Sequence, residues 1–178
     1  MLGVFSGATR LFGVGAFVLG ALLVGPAPGY AQVPLCVAGE WRAVNLEQSF
    51  RDLFGPDTGF QIESITGDVT MSLSPNGGYV ARYERYRMVA DSFGSPFEIV
   101  MEGSLRGAMR EVRPGALSSS VTESDVTVTT VMMGTTTTGP LPLVGEDTGE
   151  AINYDCAAGQ LTFAVPGETS FRLNFVRR

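Results

Sequence analysis

The sequence predicts an all-β domain behind an export signal, and three observations carry that prediction. From residue 32 onward, short β-favouring runs are separated by turn residues. Within several runs apolar and polar side chains alternate, as in a strand with one dry and one wet face. Only one stretch has helical spacing. The expected architecture is an antiparallel up-and-down barrel, with a compact β-sandwich as the alternative.

Residues 1–31 stand apart from the rest. A single charge at Arg10, an apolar run from 11 to 24 and the small-residue stretch 25–31 follow one another in the order of a secretory signal peptide. Cleavage is expected after Ala31, with Gly29 and Ala31 at the two small-residue positions. The apolar run is broken by Gly13, Gly15 and Gly20 and falls short of the roughly 20 residues needed to span a bilayer. Leu35, bulky where a lipoprotein signal needs a small residue, argues against lipidation of Cys36. One domain over 32–178 is therefore expected, periplasmic or secreted and bacterial in style. Its membrane contact is expected only through the signal before cleavage.

Strands are expected at 39–44, 60–65, 68–74, 78–90, 97–105, 108–112, 116–122, 126–133, 152–156, 160–165 and 170–176. Val69, Met71 and Leu73 alternate with Asp68, Thr70, Ser72 and Ser74, and the Ser74-Pro75-Asn76-Gly77-Gly78 run turns the chain into a hairpin. Phe171, Leu173 and Phe175 alternate in the same way with Arg172 and Asn174. The one helix is expected over 46–54. Its apolar positions Leu46, Phe50, Leu53 and Phe54 recur at helical spacing, Asn45 can cap it, and Gly55-Pro56 stops it. Residues 134–150 read as a turn-rich segment too proline-rich for a central strand.

Cys36 and Cys156, the two cysteines of the chain, both enter an oxidising compartment if the signal acts, so a disulfide is the default. In a meander barrel whose first strand lies beside its last, these cysteines precede the first and the penultimate strands at one barrel end. Such a topology permits the bridge.

Gly39-Glu40-Trp41, at the start of the first strand, resembles the Gly-x-Trp opening of lipocalin-like proteins. The resemblance implies an up-and-down barrel with the tryptophan plugging one end and an arginine from the end of the last strand lying across it. Arg172 and Arg177 are the two candidates for that role. Trp41 is equally ordinary core material.

Composition narrows function further. The chain has 12 Lys+Arg, all arginine, against 18 Asp+Glu and no histidine, a net charge of −6. Loss of Arg10 with the signal leaves 11 against 18, or −7. An acidic domain is a poor fit to nucleic acid. Without histidine and lysine, Ser-His-Asp, Cys-His, Ser-Lys and Schiff-base chemistries are excluded, and so are His-containing zinc sites. Carboxylate pairs remain the only catalytic machinery, and no pair is singled out, so an enzyme is not expected. No cofactor or metal is expected either. The run Glu146, Asp147, Glu150, Asn153 and Asp155 fails the spacing of a calcium loop. At strand period, Tyr79, Tyr83, Arg85 and Arg87 should share one face of the 78–90 strand, with Arg82, Glu84 and Tyr86 on the other.

The expectation for function is an exported, non-enzymatic, lipocalin-like protein holding a small apolar ligand. Met71, Leu73, Phe97, Ile99, Leu161 and Phe163 are the foremost candidates to line its interior, with Val126, Val128, Phe171 and Leu173 behind them. The alternative is a structural or protein-interaction module of the cell envelope, with an envelope protein as partner and no internal ligand.

Overall fold

The computed structural model describes residues 33–54, 59–141, 151–164 and 171–178. The expected signal at 1–31, the expected Gly55-Pro56 helix stop and the acidic residues Glu146, Asp147 and Glu150 lie outside them. In chain order the elements are β1 (Gly39–Val44), α1 (Leu46–Phe54), β2 (Phe60–Leu73), β3 (Gly78–Ser92), β4 (Ser95–Arg113) and β5 (Ala116–Ser124). There follow β6 (Thr127–Met132), β7 (Thr135–Pro140), β8 (Ile152–Ala157), β9 (Gln160–Ala164) and β10 (Arg172–Arg177).

Eight of these strands close an antiparallel barrel in the order β3-β2-β1-β10-β9-β8-β5-β4, with β3 and β4 joining the ends. The path is a meander, first strand beside last, and the sandwich alternative falls away. One excursion interrupts it. Between β5 and β8 the chain leaves the barrel as the β6–β7 hairpin, which pairs with the upper part of β4, Phe97 to Glu102, while the lower part of β4 pairs with β5. Strands β2, β3 and β4 run past the upper rim of the barrel and continue with β6 and β7 as a five-stranded extension, here called the flap. β7 was expected as part of a turn-rich segment. It forms because the two-residue Met133-Gly134 turn lets its threonines pair with β6, and Pro140 is tolerated at the end of a strand that has one neighbour among the described residues.

The runs expected separately at 60–65 and 68–74 form the single strand β2, and those at 97–105 and 108–112 form β4. In β2 the register slips twice against β3, between Ile62 and Ser64 and between Thr66 and Asp68. The second slip faces Arg85, which takes left-handed backbone at φ 51°. Gly67 is required there, since a Cβ on it would stand 2.1 Å from the Arg85 carbonyl oxygen. This bulge reverses the face parity of β3. Below it Tyr79, Ala81 and Tyr83 point inward, and above it Tyr86, Met88 and Ala90 do. The expected division of Tyr86 from Tyr79 and Tyr83 is thereby corrected. The tyrosines share the dry face, Arg82 and Arg87 the wet one, and Arg87 pairs with Glu98 across the β3–β4 ladder at 2.7 Å.

α1 spans the residues expected, but Asn45 enters it in left-handed backbone (φ 56°). What Asn45 contributes is its carbonyl, which accepts from the Ser49 N–H at 3.0 Å and from Ser49 Oγ at 3.1 Å.

Two apolar clusters result. The lower one fills the barrel with Val33, Val37, Trp41, Met71, Leu73, Tyr79, Leu117, Leu161, Phe163 and Phe175. Phe163 and Phe175 meet edge-on at 5.6 Å across β9 and β10. Gly107 sits opposite Tyr79, where a Cβ would come within 2.6 Å of the ring, so the glycine lets Tyr79 lie across β4. The upper cluster lies between α1 and the flap. No helix among the described residues is long and apolar enough to cross a membrane.

Candidate functional site

The lower end of the barrel is a plug. Trp41 is 1% exposed and donates its indole N–H to the Val37 carbonyl at 2.7 Å. Its cross-strand partner is Arg177, whose guanidinium lies 4.9 Å from the indole centroid and donates to the carbonyls of Cys36 and Ala38 at 3.2 and 3.1 Å. Arg172 pairs with Ala164 at the other end of β10 and is exposed. Cys36 and Cys156 form a disulfide, tying the turn before β1 to the end of β8.

The upper end differs. Its cluster has four buried members, Ile62, Tyr86, Met88 and Ala90, surrounded by a larger set of half-buried apolar side chains. α1 is the lid of this region. Its polar side carries the Arg51–Glu47 pair and the Gln48–Asp52 hydrogen bond, and its other side presents Leu46, Phe50 and Phe54. Five phenylalanines run in contact over the site. Phe171 meets Phe50 at 5.8 Å, Phe50 stacks on Phe54 at 6.4 Å, Phe54 meets Phe60 at 4.1 Å and Phe60 meets Phe97 at 5.2 Å. Each remains partly exposed.

Of the six foremost lining candidates, Met71, Leu73, Leu161 and Phe163 belong to the packed lower cluster, and Phe97 and Ile99 to the upper one. Leu173 packs on the lower cluster, Phe171 on Phe50, and Val126 is buried beside Gly103. The α1 residues Phe50 and Phe54, and Phe60 on β2, were not among the candidates, although the helical apolar stripe singles out the first two.

The polar groups in the floor of this site are the hydroxyls of Tyr83 and Tyr86, whose rings meet edge-on at 6.1 Å. Burial pushes both phenols upward, Tyr86 to about 12, with each also raised by a neighbouring tyrosine. They are neutral at any physiological pH. Because the folded-state values lie above the unfolded value near 10, their contribution to stability is complete below pH 10 and is lost as pH rises towards 12. Urea midpoints measured from pH 8 to 12 should fall in that upper window, and Tyr86→Phe should flatten the fall.

No three His, Cys, Asp or Glu among the described residues are grouped to hold a metal ion. Asn153 instead accepts from Arg113 at 3.4 Å, and Asp155 lies opposite Thr162 on β9. Comparison with protein-family models, with curated proteins and with solved structures finds no match. The barrel is established by its strand order, and the lipocalin resemblance rests on Gly39, Trp41 and the crossing arginine.

Proposed function

We propose that this protein is an exported, non-enzymatic binding protein that holds a small apolar molecule between α1 and the inner face of the flap. The observation that supports this reading is the contrast between the two clusters. The lower cluster has eleven buried members against four in the upper one, and the upper one leaves five touching phenylalanines part-exposed above a floor of neutral tyrosines. Apolar walls with a few placed polar groups are what ligand sites for such molecules require. With no histidine or lysine in the chain, carboxylate pairs are the remaining acid–base machinery, and the tyrosines in the floor of the site are held neutral. A disulfide linking residues 120 apart suits an oxidising compartment.

Titration with a fluorescent apolar probe, N-phenyl-1-naphthylamine, tests the reading. Saturable one-to-one binding is expected, with a rise in thermal midpoint, since a ligand at 100 times its Kd stabilises by about 2.7 kcal/mol. Phe54→Ala combined with Phe97→Ala should weaken binding about tenfold or more, given roughly 1.5–3 kcal/mol for each fully buried aromatic contact. Absence of saturable binding, or affinity indifferent to both substitutions, would refute it.

A further inference from the structure

Four tyrosines lie among the described residues, and their hydroxyls divide by cluster. The two that pack in or against the lower cluster are bonded within the protein. Tyr79 Oη accepts from the Ser119 hydroxyl at 3.4 Å, and Tyr154 Oη donates to the Glu111 carboxylate at 2.6 Å. Tyr83 and Tyr86, in the upper cluster, make no hydrogen bond to any described residue, although Tyr86 is 6% exposed and Tyr83 is partly buried. A phenol buried to that degree ordinarily finds a partner, because an unmade bond leaves the cost of taking the group out of water unrecovered.

The Tyr86 hydroxyl is not sealed in. Among the described residues, every buried side-chain nitrogen or oxygen closed off from solvent has a hydrogen-bond partner. Having none, the Tyr86 hydroxyl opens on accessible space while its ring stays packed. That ring belongs to the cluster of Ile62, Met88 and Ala90, against which Leu46, Phe50 and Phe54 of α1 also pack. Two phenols whose rings meet at 6.1 Å can donate together to the two lone pairs of one carbonyl oxygen. A pure hydrocarbon seated over them would strip both hydroxyls of water and return no bond. A carboxylate is the poorer match. Arg42, Arg51 and Arg87 on β1, α1 and β3 are each engaged by a carboxylate of the protein, Asp68, Glu47 and Glu98, and the chain is acidic overall.

We infer that the molecule held between α1 and the flap is an apolar carbonyl compound, a ketone or ester, whose oxygen accepts from the hydroxyls of Tyr83 and Tyr86. The inference rests on the ligand-binding reading and sharpens it. The phenylalanines supply affinity for a hydrocarbon body, and the two tyrosines select among such bodies by the presence of one uncharged acceptor.

Displacement of bound N-phenyl-1-naphthylamine by compounds of one ring system and similar size provides the test. These are 2-acetylnaphthalene, 2-ethylnaphthalene, which has a methylene in place of the carbonyl, and 2-naphthoate at pH 8. The native protein should hold the ketone about tenfold tighter than the hydrocarbon, the factor expected of two hydrogen bonds, and should hold the anion less tightly than the ketone. The double variant Tyr83→Phe, Tyr86→Phe removes two unbonded hydroxyls and keeps both rings, so its thermal midpoint should hold. It should bind N-phenyl-1-naphthylamine and 2-ethylnaphthalene at least as well as the native protein and lose the preference for the ketone. With N-phenyl-1-naphthylamine bound, the inference alone is overturned if the native protein does not distinguish ketone from hydrocarbon, if the double variant keeps the preference, or if 2-naphthoate binds tightest. Absence of saturable binding of N-phenyl-1-naphthylamine overturns the ligand-binding reading and the inference with it.

Discussion

Replacing Trp41 with alanine is expected to destabilise the protein by about 3–5 kcal/mol. Three losses coincide at one position. The largest side chain of the lower core disappears, leaving a void among Val37, Leu73 and Leu161. The Val37 carbonyl loses its 2.7 Å donor, and the Arg177 guanidinium loses the ring beneath it, a contact worth roughly 0.5–2 kcal/mol by itself. Trp41→Phe should recover much of the packing but neither the indole hydrogen bond nor the full ring face. Trp41 is the only tryptophan, so unfolding of these variants is followed by far-UV circular dichroism in urea. A loss below about 1 kcal/mol for the alanine variant would show that the plug does not hold the barrel end.

Removing the disulfide, by Cys36→Ser with Cys156→Ser, is expected to cost about 4–5 kcal/mol, because the bridge closes a loop of 120 residues in the unfolded chain. The structure adds where that loss falls. Among the described residues β8 joins β5 through two ladder pairs, Ala116 with Asn153 and Leu117 with Ile152, the thinnest seam of the closed barrel. Cys156 lies just below that seam, and its bond holds it to the turn that also carries Val33 and Val37 into the core. Hydrogen exchange should therefore rise first in 152–157 of the serine variant. Uniform destabilisation with no local opening, or a cost below about 1 kcal/mol, would contradict this account of the seam.

Much of the barrel was legible in the sequence, because its information is carried by period-two alternation. The inward set Val69, Met71 and Leu73 was readable directly, and so was Phe171, Leu173 and Phe175. That second alternation also contains the choice between the two arginines, since Arg177 shares the odd-numbered inward positions and Arg172 does not. β1 and α1 occupy the residues expected for them.

The flap was less legible, for physical reasons. Parity in β3 turns on the bulge at Arg85, and nothing local to that arginine announces a left-handed backbone; the cause is the glycine it meets on β2. The β6–β7 hairpin was hidden because its turn places methionine where turn chemistry leads one to look for asparagine or glycine. The division of the apolar residues into two clusters depends on how far β2, β3 and β4 overrun the barrel rim. Strand runs read one at a time cannot show that two of them are continuous, so Phe97 and Ile99 were grouped with residues of the lower core.

The central claim is that an apolar ligand enters the upper cluster and not the lower. Methyl NMR of protein labelled at methionine, isoleucine and leucine measures this directly as N-phenyl-1-naphthylamine is added. The account predicts progressive shifts at Ile62, Met88, Ile99 and Met101, with Met71, Leu73, Leu117 and Leu161 unmoved. Shifts centred on the lower four, or none at saturating probe, would contradict it.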